Sequence, residues 1–181
     1  MYDGVSFRMG IFIAIIVIIL LGGFTIFFSP LFVLSIFYFD SNNIVISPVT
    51  ENYIYLTLSF VVLIIGLAIL AWRRKFVTYT LFTLSLLMFV ALYYASTIGH
   101  FVIHDEYVRV QSAFNKQQFA WPDIEKIYYE YEVGFPGTYS FYSGENVVTI
   151  IETGQFTSGV SSEITKRAHL YDIPFEKQQK K

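Results

Sequence analysis

The fold is decided by residues 10–39, which read GIFIAIIVIILLGGFTIFFSPLFVLSIFYF without one charged side chain. A helix of this length would measure about 45 Å, whereas the hydrocarbon core of a bilayer is about 30 Å thick. The run is therefore too long for one straight crossing of the bilayer. Two crossings within it would each have too few residues to span the hydrocarbon core. Gly22-Gly23 and Ser29-Pro30 interrupt the run, and proline removes a helix hydrogen bond. We predict a first span over about residues 9–29, followed by an apolar stretch to Phe39 that tilts, kinks or lies along the interface.

A cleaved signal peptide is the competing interpretation of this first segment. A signal core has about 7 to 15 apolar residues and ends at a small-residue cleavage site. Residues 10–39 form a much longer run and show no clear site of that kind. We therefore expect the segment to remain as a membrane anchor.

Two more uncharged runs, residues 53–72 and 76–97, follow a polar connection that contains Asp40-Ser41-Asn42-Asn43 and Ser47-Pro48. Each run is long enough to cross a bilayer once. Only Arg73-Arg74-Lys75 joins them, so the second and third spans are predicted to form a tight helical hairpin. No Asp, Glu, Lys, Arg or His lies inside a predicted span. Because buried charges mark proton relays and ion paths, this argues against a pump or a channel.

The two halves of the chain have different compositions. Charged residues make up 14% of the whole, below the roughly 25% of an ordinary soluble domain. Residues 1–98 hold four basic and three acidic residues, and residues 99–181 hold the other eight and eleven. We predict a transmembrane region over residues 1–98 and a water-facing domain after it.

Composition also excludes several function classes. A net charge of −2 is too small to indicate nucleic-acid binding, which needs a basic face. The sequence has no cysteine, so disulfides, thiolate metal sites and cysteine nucleophiles are excluded. No Gly-x-Ser-x-Gly motif and no phosphate-binding glycine loop is present.

From Gly99 onward the sequence alternates between apolar and polar residues, as half-buried strands do. The predicted strands lie near residues 101–103, 107–110, 117–121, 124–132, 139–143 and 147–153, with a further one near Phe156. After Gly159 the spacing becomes helical until Pro174 ends the run. Residues 99–175 are thus predicted to be a small β-rich α+β domain of about seven antiparallel strands capped by a C-terminal helix. Residues 176–181 are expected to be a flexible, solvated tail.

Two segments of this domain carry a resemblance to a known family. Residues 101–110 read FVIHDEYVRV and residues 119–127 read FAWPDIEKI, which gives a strand, a tight turn, a strand and a Trp-x-Asp-Ile step. This order resembles the bacterial pleckstrin-homology-like (PH-like) domains of small membrane proteins. The resemblance implies a recognition or assembly module without shared catalytic residues or a cofactor. Three spans are a departure, since many members have a simple pair.

His100, His104, Asp105 and Glu106 form the densest group of candidate metal ligands. His100 and His104 lie an even number of residues apart, so they share one face if both are in a strand. Asp105 and Glu106 are equally well explained as turn residues, which leaves the group without a third ligand. We expect no metal, and a metal-dependent membrane enzyme built on His100 and His104 is the alternative.

The tyrosine-rich stretch after Lys126 is the candidate interaction surface. Aromatic side chains supply much of the binding energy at protein interfaces, and alternation leaves about half of them exposed. The residues selected are Tyr129, Tyr131, Phe135, Tyr139 and Tyr142.

The basic residues Arg73, Arg74 and Lys75 determine the predicted topology. Short loops rich in Lys and Arg stay in the cytoplasm, and one span separates this loop from the C-terminal domain. The charge rule therefore places the C-terminal domain outside, with Arg8 on the inner side. The resemblance points the other way, because such domains are usually cytoplasmic, and we favour the charge rule.

The sequence favours a non-enzymatic multi-pass protein of the cell membrane whose PH-like domain mediates protein recognition or assembly. An accessory, immunity or stress-response factor would have this form. Its expected partners are membrane lipid and another protein, without nucleic acid. The alternative is a lipid-headgroup module held by its own anchor, which needs a basic patch beside the third span. Only Arg109 and Lys116 are available for one.

Overall fold

The structure is a computed structural model that describes residues 3–73 and 75–180. The chain divides into two compact units. A helical unit contains Met1–Val33 and Thr50–Ile98, and a sheet unit contains Leu34–Val49 and Gly99–Lys181. Each unit is built from two separated stretches of sequence.

The helical unit contains most of α1 (Asp3–Phe37), together with α2 (Thr50–Trp72) and α3 (Phe76–Ala95). Within the described residues, three helical stretches are long and apolar enough to cross a membrane: Phe7–Phe37, Thr50–Trp72 and Phe76–Ala95. Their large side chains are extensively exposed, including Phe27 and Leu84. An apolar surface of this extent is stable in lipid and unstable in water.

The first helix is longer than the predicted first span over residues 9–29. It continues through Pro30 to Phe37, so the apolar stretch after the proline is helical. Leu34, one turn beyond Pro30, is only 3% exposed and belongs to the sheet unit. Proline removes one helix hydrogen bond, but it does not end the helix here, which local sequence patterns do not reveal.

Small residues allow the helices to approach closely. A Cβ atom on Gly66 of α2 would lie 1.9 Å from Ser85 Oγ of α3, so only glycine fits at this crossing. Gly22 of α1 faces the ring of Phe60, where a Cβ would lie 3.1 Å from the ring. Small residues at helix crossings are typical of membrane bundles, because they permit backbone-to-backbone contact. The predicted tight hairpin of α2 and α3 is present.

The sheet unit has eight strands and one complete helix. They are β1 (Asn43–Ser47), β2 (His100–His104), β3 (Tyr107–Gln111), β4 (Lys116–Ala120), β5 (Lys126–Tyr131), β6 (Thr138–Ser143), β7 (Asn146–Ile151), α4 (Ser158–Leu170) and β8 (Phe175–Gln179). The first sheet has the order β1-β2-β3-β4, and the second has the order β7-β6-β5-β8. Every pairing is antiparallel except that of β5 with β8.

Strand β1 corrects the interpretation of residues 40–52 as a mere polar connection. It pairs with β2, with Ser47 opposite Phe101, and it places the buried Val45 in the core. The pairing has an irregularity between Asn43 and Val45. The hairpin of α2 and α3 is therefore an insertion between two neighbouring strands of one sheet.

Strand β8 corrects the prediction of a flexible tail for residues 176–179, and Lys181 lies outside the described residues. The strand runs parallel to β5, and Lys126 Nζ lies 2.9 Å from Glu176 Oε1. Backbone hydrogen bonds fix both ends of the pairing, from Ile127 N to Pro174 O at 2.9 Å and from Lys180 N to Tyr131 O at 2.9 Å. Most of its side chains are exposed, so the strand is stabilised mainly by backbone hydrogen bonds. It therefore lacks a clear apolar pattern that would identify it in the sequence.

The strand predicted near Phe156 is absent, because this residue lies in the loop before α4. Its ring packs instead against Phe101 and Tyr139, with ring centroids 5.9 and 5.7 Å away. The apolar character of Phe156 thus reflects a core contact made from a loop.

The core lies between the two sheets and under α4. Trp121 is fully buried, and its indole N–H donates to His104 O at 2.9 Å. Helix α4 contributes Val160, Ile164 and Ala168 to the same core. The predicted closing helix is present, and Tyr171 is exposed just beyond its end.

Helix α4 ends in a Schellman motif. Ile173 N donates to Ala168 O at 2.8 Å, and Asp172 N donates to His169 O at 3.4 Å. Asp172 has a φ of 53°, the left-handed conformation that this motif requires and that glycine usually provides. Ile173 and Ala168, the apolar pair of the motif, are both buried.

Candidate functional site

An aromatic column connects the core of the second sheet to its surface. Tyr129 and Tyr131 alternate along β5 on the inner face, and Tyr139 lies opposite Tyr129 on β6. The rings of Tyr129 and Tyr139 have centroids 4.5 Å apart, and those of Tyr129 and Tyr131 lie 6.0 Å apart at an interplanar angle of 19°. Tyr139 is fully buried, and its hydroxyl donates to Ser161 Oγ at 3.0 Å. Packing against Tyr139 therefore restricts the ring of Tyr129, and Tyr129 in turn restricts the ring of Tyr131.

Tyr129 occupies a constrained position in this column. Desolvation, followed by its hydrogen bond with Glu152, raises the pKa of Tyr129 to about 12. The same carboxylate accepts a hydrogen bond from Gly137 N at 2.9 Å. A Cβ on Gly137 would lie 2.5 Å from the Tyr129 ring, so glycine is needed for the loop to pass. The loop and the column are thus held by one set of contacts.

The column ends at a group of exposed apolar side chains, which we name the aromatic edge: Tyr131, Val133 and Phe135. They are 38%, 81% and 66% exposed, respectively. Tyr131 is the last residue of β5, and the turn that carries Val133 and Phe135 is closed by a hydrogen bond from Phe135 N to Glu132 O at 3.1 Å. Gly134 has a φ of 90°, a backbone conformation that favours glycine. The local backbone therefore displays Phe135 to solvent.

The five residues predicted as an interaction surface do not form one surface. Tyr139 belongs to the core, and Tyr129 is half-buried beneath Tyr131. Tyr142 lies on the opposite face of the sheet, where its ring meets Tyr128 with centroids 5.5 Å apart. Tyr131 and Phe135 remain as the exposed pair.

Sequence reasoning missed Val133 and Glu152. Val133 is an isolated apolar residue in a turn, and its exposure follows only from the position of the loop. Glu152 lies immediately beyond β7, far along the chain from the tyrosine it contacts. No local pattern marks either residue.

The candidate metal ligands do not converge. His100 and His104 are both buried in β2, and their spacing places them on one face, as predicted. Four residue steps along the strand nevertheless separate their backbones by about 13 Å, too far to share one ion. Asp105 instead binds Arg167, whose Nη2 lies 2.6 Å from its Oδ1. Within the described residues, no three His, Asp or Glu side chains could hold a metal ion.

Packing and hydrogen bonds account for the His100 ring. Its centroid is 4.4 Å from that of Tyr38, and its Nε2 is 3.4 Å from Arg109 Nη2. Arginine can only donate, so His100 Nε2 is the acceptor of this contact. Tyr38, just beyond the end of α1, thus lies over the outer face of the first sheet.

The His104 ring is fixed by its immediate neighbours. It stacks on Tyr107 with centroids 4.5 Å apart, and its Nδ1 accepts from Glu106 N at 3.1 Å. Its Nε2 lies 3.8 Å from Asp40 Oδ2. These contacts give both histidines a role in packing.

The topology residues lie at one end of the helical unit. Arg73 and Lys75 are exposed between α2 and α3, and Arg74 falls outside the described residues. Arg8 Nη2 donates to Trp72 O at 3.5 Å, so the start of α1 lies beside the end of α2. The described basic side chains of the helical unit therefore share one end.

Comparison with protein families, with curated proteins and with solved structures finds no match to this chain. Function is therefore argued from the geometry of its own residues.

Proposed function

We propose that this chain is a non-enzymatic membrane protein whose sheet unit recognises another protein through the aromatic edge. The observation that carries the proposal is the exposure of Tyr131, Val133 and Phe135 at the end of a buried aromatic column. Exposed aromatic side chains on a rigid base are typical of the residues that dominate protein interfaces.

Rigidity is the second support for an interface. Tyr131 rests against Tyr129, and the loop is tied back by Gly137 to Glu152. Side chains that are already ordered lose less conformational entropy when a partner binds. A small number of anchors can then supply useful affinity.

The strand order supports assignment of the sheet unit to the PH-like fold. Strands β1 to β4 form one antiparallel sheet, β5 to β7 continue the second, and α4 closes the set. We interpret β8 as an addition to that pattern. We interpret the hairpin of α2 and α3 as an insertion between the first two strands, which departs from a domain that simply follows its anchor.

The charge distribution supports a topology with the sheet unit outside the cell. Arg8, Arg73 and Lys75 lie at one end of the helices, and the positive-inside rule assigns that end to the cytoplasm. One span, α3, then leads to the sheet unit.

Two other interpretations have weaker support. Headgroup binding by the sheet unit would need free basic side chains, yet Arg109 is half-buried against His100 and Tyr107. A metal-dependent enzyme would need His100 and His104 to converge, and strand spacing keeps them about 13 Å apart.

Photo-crosslinking in the native membrane tests the recognition proposal. Benzoylphenylalanine is introduced at position 133 and, as a control, at the exposed position 118 of β4. We expect one dominant protein adduct from position 133, none of that size from position 118, and a several-fold weaker adduct when Phe135→Ala is added. Equal adducts from both positions, or adducts to lipid alone, would contradict the proposal.

A further inference from the structure

A groove at the basic end of the helical unit has features that neither the sheet unit nor the aromatic edge explains. It lies between the start of α1 and the end of α2, with a volume of about 540 Å³. Its lining residues are Arg8, Phe12, Ala68, Ala71, Trp72 and Arg73. We propose that this groove binds an anionic phospholipid, with its phosphate between the two arginines.

Helix packing forms the walls of the groove. Ile11 of α1 is buried with Leu70 and Ala71 of α2, which holds the two helices together beside it. The lining positions Ala68 and Ala71 have small side chains, so space remains between the helices next to Phe12. The groove is therefore a product of packing between two apolar helices.

The charged side chains suit a phosphate group. Arg8 Nη2 donates to the carbonyl of Trp72 at 3.5 Å, which holds the guanidinium at the mouth of the groove. Each guanidinium has five N–H donors in a planar fork that matches phosphate oxygens, so donors remain after this contact. Arg73, which follows the end of α2, also lines the groove and is exposed, and no acidic side chain is among the described lining residues. The groove thus has a concentrated positive charge.

The apolar lining favours a lipid over a free anion. The side chains of Phe12, Ala68 and Ala71 have no hydrogen-bond donor, so they can contact only the apolar part of a ligand. Trp72 is an interfacial residue by type, and its ring is 78% exposed. Basic pockets between transmembrane helices are the usual sites for acidic headgroups. A phospholipid carries its phosphate beside the start of its acyl chains, so it can contact the arginines and the apolar lining at the same time.

Tryptophan quenching tests the site, because Trp72 lines the groove and Trp121, the other tryptophan, is fully buried in the sheet unit. Full-length protein is reconstituted in phosphatidylcholine vesicles that contain acyl-brominated phosphatidylglycerol or, separately, acyl-brominated phosphatidylcholine. We expect several-fold stronger quenching by the anionic lipid at equal bromine content.

Four single variants separate a formed lipid site from a general effect of positive charge. Arg8→Gln and Arg73→Gln should each reduce the preference for the anionic lipid several-fold. Lys75→Gln removes an equal charge from an exposed neighbour that does not line the groove, and it should leave the preference unchanged. Arg8→Lys retains the charge but loses the planar fork, so it should reduce the preference in part.

Several results would overturn the proposal. Equal quenching by both lipids, an equal effect of Lys75→Gln, or displacement of the anionic lipid by inorganic phosphate would each do so. Circular dichroism of each variant checks that the helices form. Because the aromatic edge is not involved, the recognition proposal stands or falls separately.

Discussion

The ring of Tyr129 lies against the ring of Tyr139 at a centroid distance of 4.5 Å, and this contact links an exposed loop to the buried core. Tyr139 is fully buried, whereas Tyr131, on the other side of Tyr129, is exposed. Binding and stability at this site should therefore respond differently to substitutions at different depths.

Substitution of Tyr129 by leucine should lower the free energy of unfolding of the sheet unit by about 1 to 3 kcal/mol, because packing against two rings is lost. Phe135→Ala, at a position 66% exposed, should change it by less than about 0.5 kcal/mol. Denaturant titration followed by near-ultraviolet circular dichroism measures both. Equal effects of the two substitutions would show that the column does not support the edge.

The raised pKa of Tyr129 predicts a loss of stability at alkaline pH. Its folded pKa of about 12 exceeds the ordinary value of 10.0, so the neutral ring favours the folded state. This contribution is complete below pH 10 and is lost as the pH rises through the folded value. Burial also raises the pKa of Tyr139, so spectrophotometric titration should show a late-ionising component that Tyr129→Phe reduces by one tyrosine without abolishing it. A Tyr129→Phe difference spectrum centred at the ordinary tyrosine pKa would contradict this.

Glycine at position 172 should stabilise the sheet unit. Asp172 adopts a φ of 53°, which costs most residues about 1 kcal/mol, whereas glycine adopts it freely. We expect Asp172→Gly to raise the free energy of unfolding by up to about 1 kcal/mol and Asp172→Ala to lower it. Urea titration of both variants tests the sign. A stabilising alanine would rule out the proposed cap.

Alanine at position 66 should disrupt the hairpin of α2 and α3, because its Cβ would lie 1.9 Å from Ser85 Oγ and 2.7 Å from Ser85 Cβ. Adding Ser85→Gly removes both atoms and should restore packing in part. Gly23→Ala is the matched control, since its Cβ meets nothing within 4 Å. Resistance of the helices to unfolding in sodium dodecyl sulfate provides the measurement. Failure of Ser85→Gly to rescue would place the cause elsewhere.

Long uncharged runs predicted the three apolar helices, because length and composition alone determine that feature. Alternation likewise predicted the antiparallel strands from residue 100 to residue 151. Strands β1 and β8 escaped detection because each is stabilised by a partner distant in the chain and carries few core residues of its own. Alternation of apolar and polar residues identifies a strand with one buried face. A strand that depends mainly on pairing with a distant partner is visible only in the folded structure.

The candidate interaction surface was also predicted only in part, because the sequence does not show how strands and loops are arranged in space. Aromatic enrichment directed attention to β5 and β6, and alternation predicted that some of the rings are buried, as Tyr139 is. It could not show that Tyr142 faces away from Tyr131 across the sheet, or that Phe135 projects from a glycine turn. The basic groove forms where α1 contacts α2. Because it needs residues from both helices, neither Arg8 nor Arg73 by itself indicates it in the sequence.

The insertion of α2 and α3 between β1 and β2 has a consequence for biosynthesis. The ribosome completes β1 before either inserted helix exists, yet β1 acquires its neighbour only when the chain has re-emerged after α3. A nascent protein with one misinserted helix would leave these two strands on opposite sides of the bilayer and could not close the first sheet. In a bilayer, closure of the first sheet would therefore require correct insertion of both α2 and α3, and a molecule in which one helix failed to insert would leave an unpaired strand edge exposed.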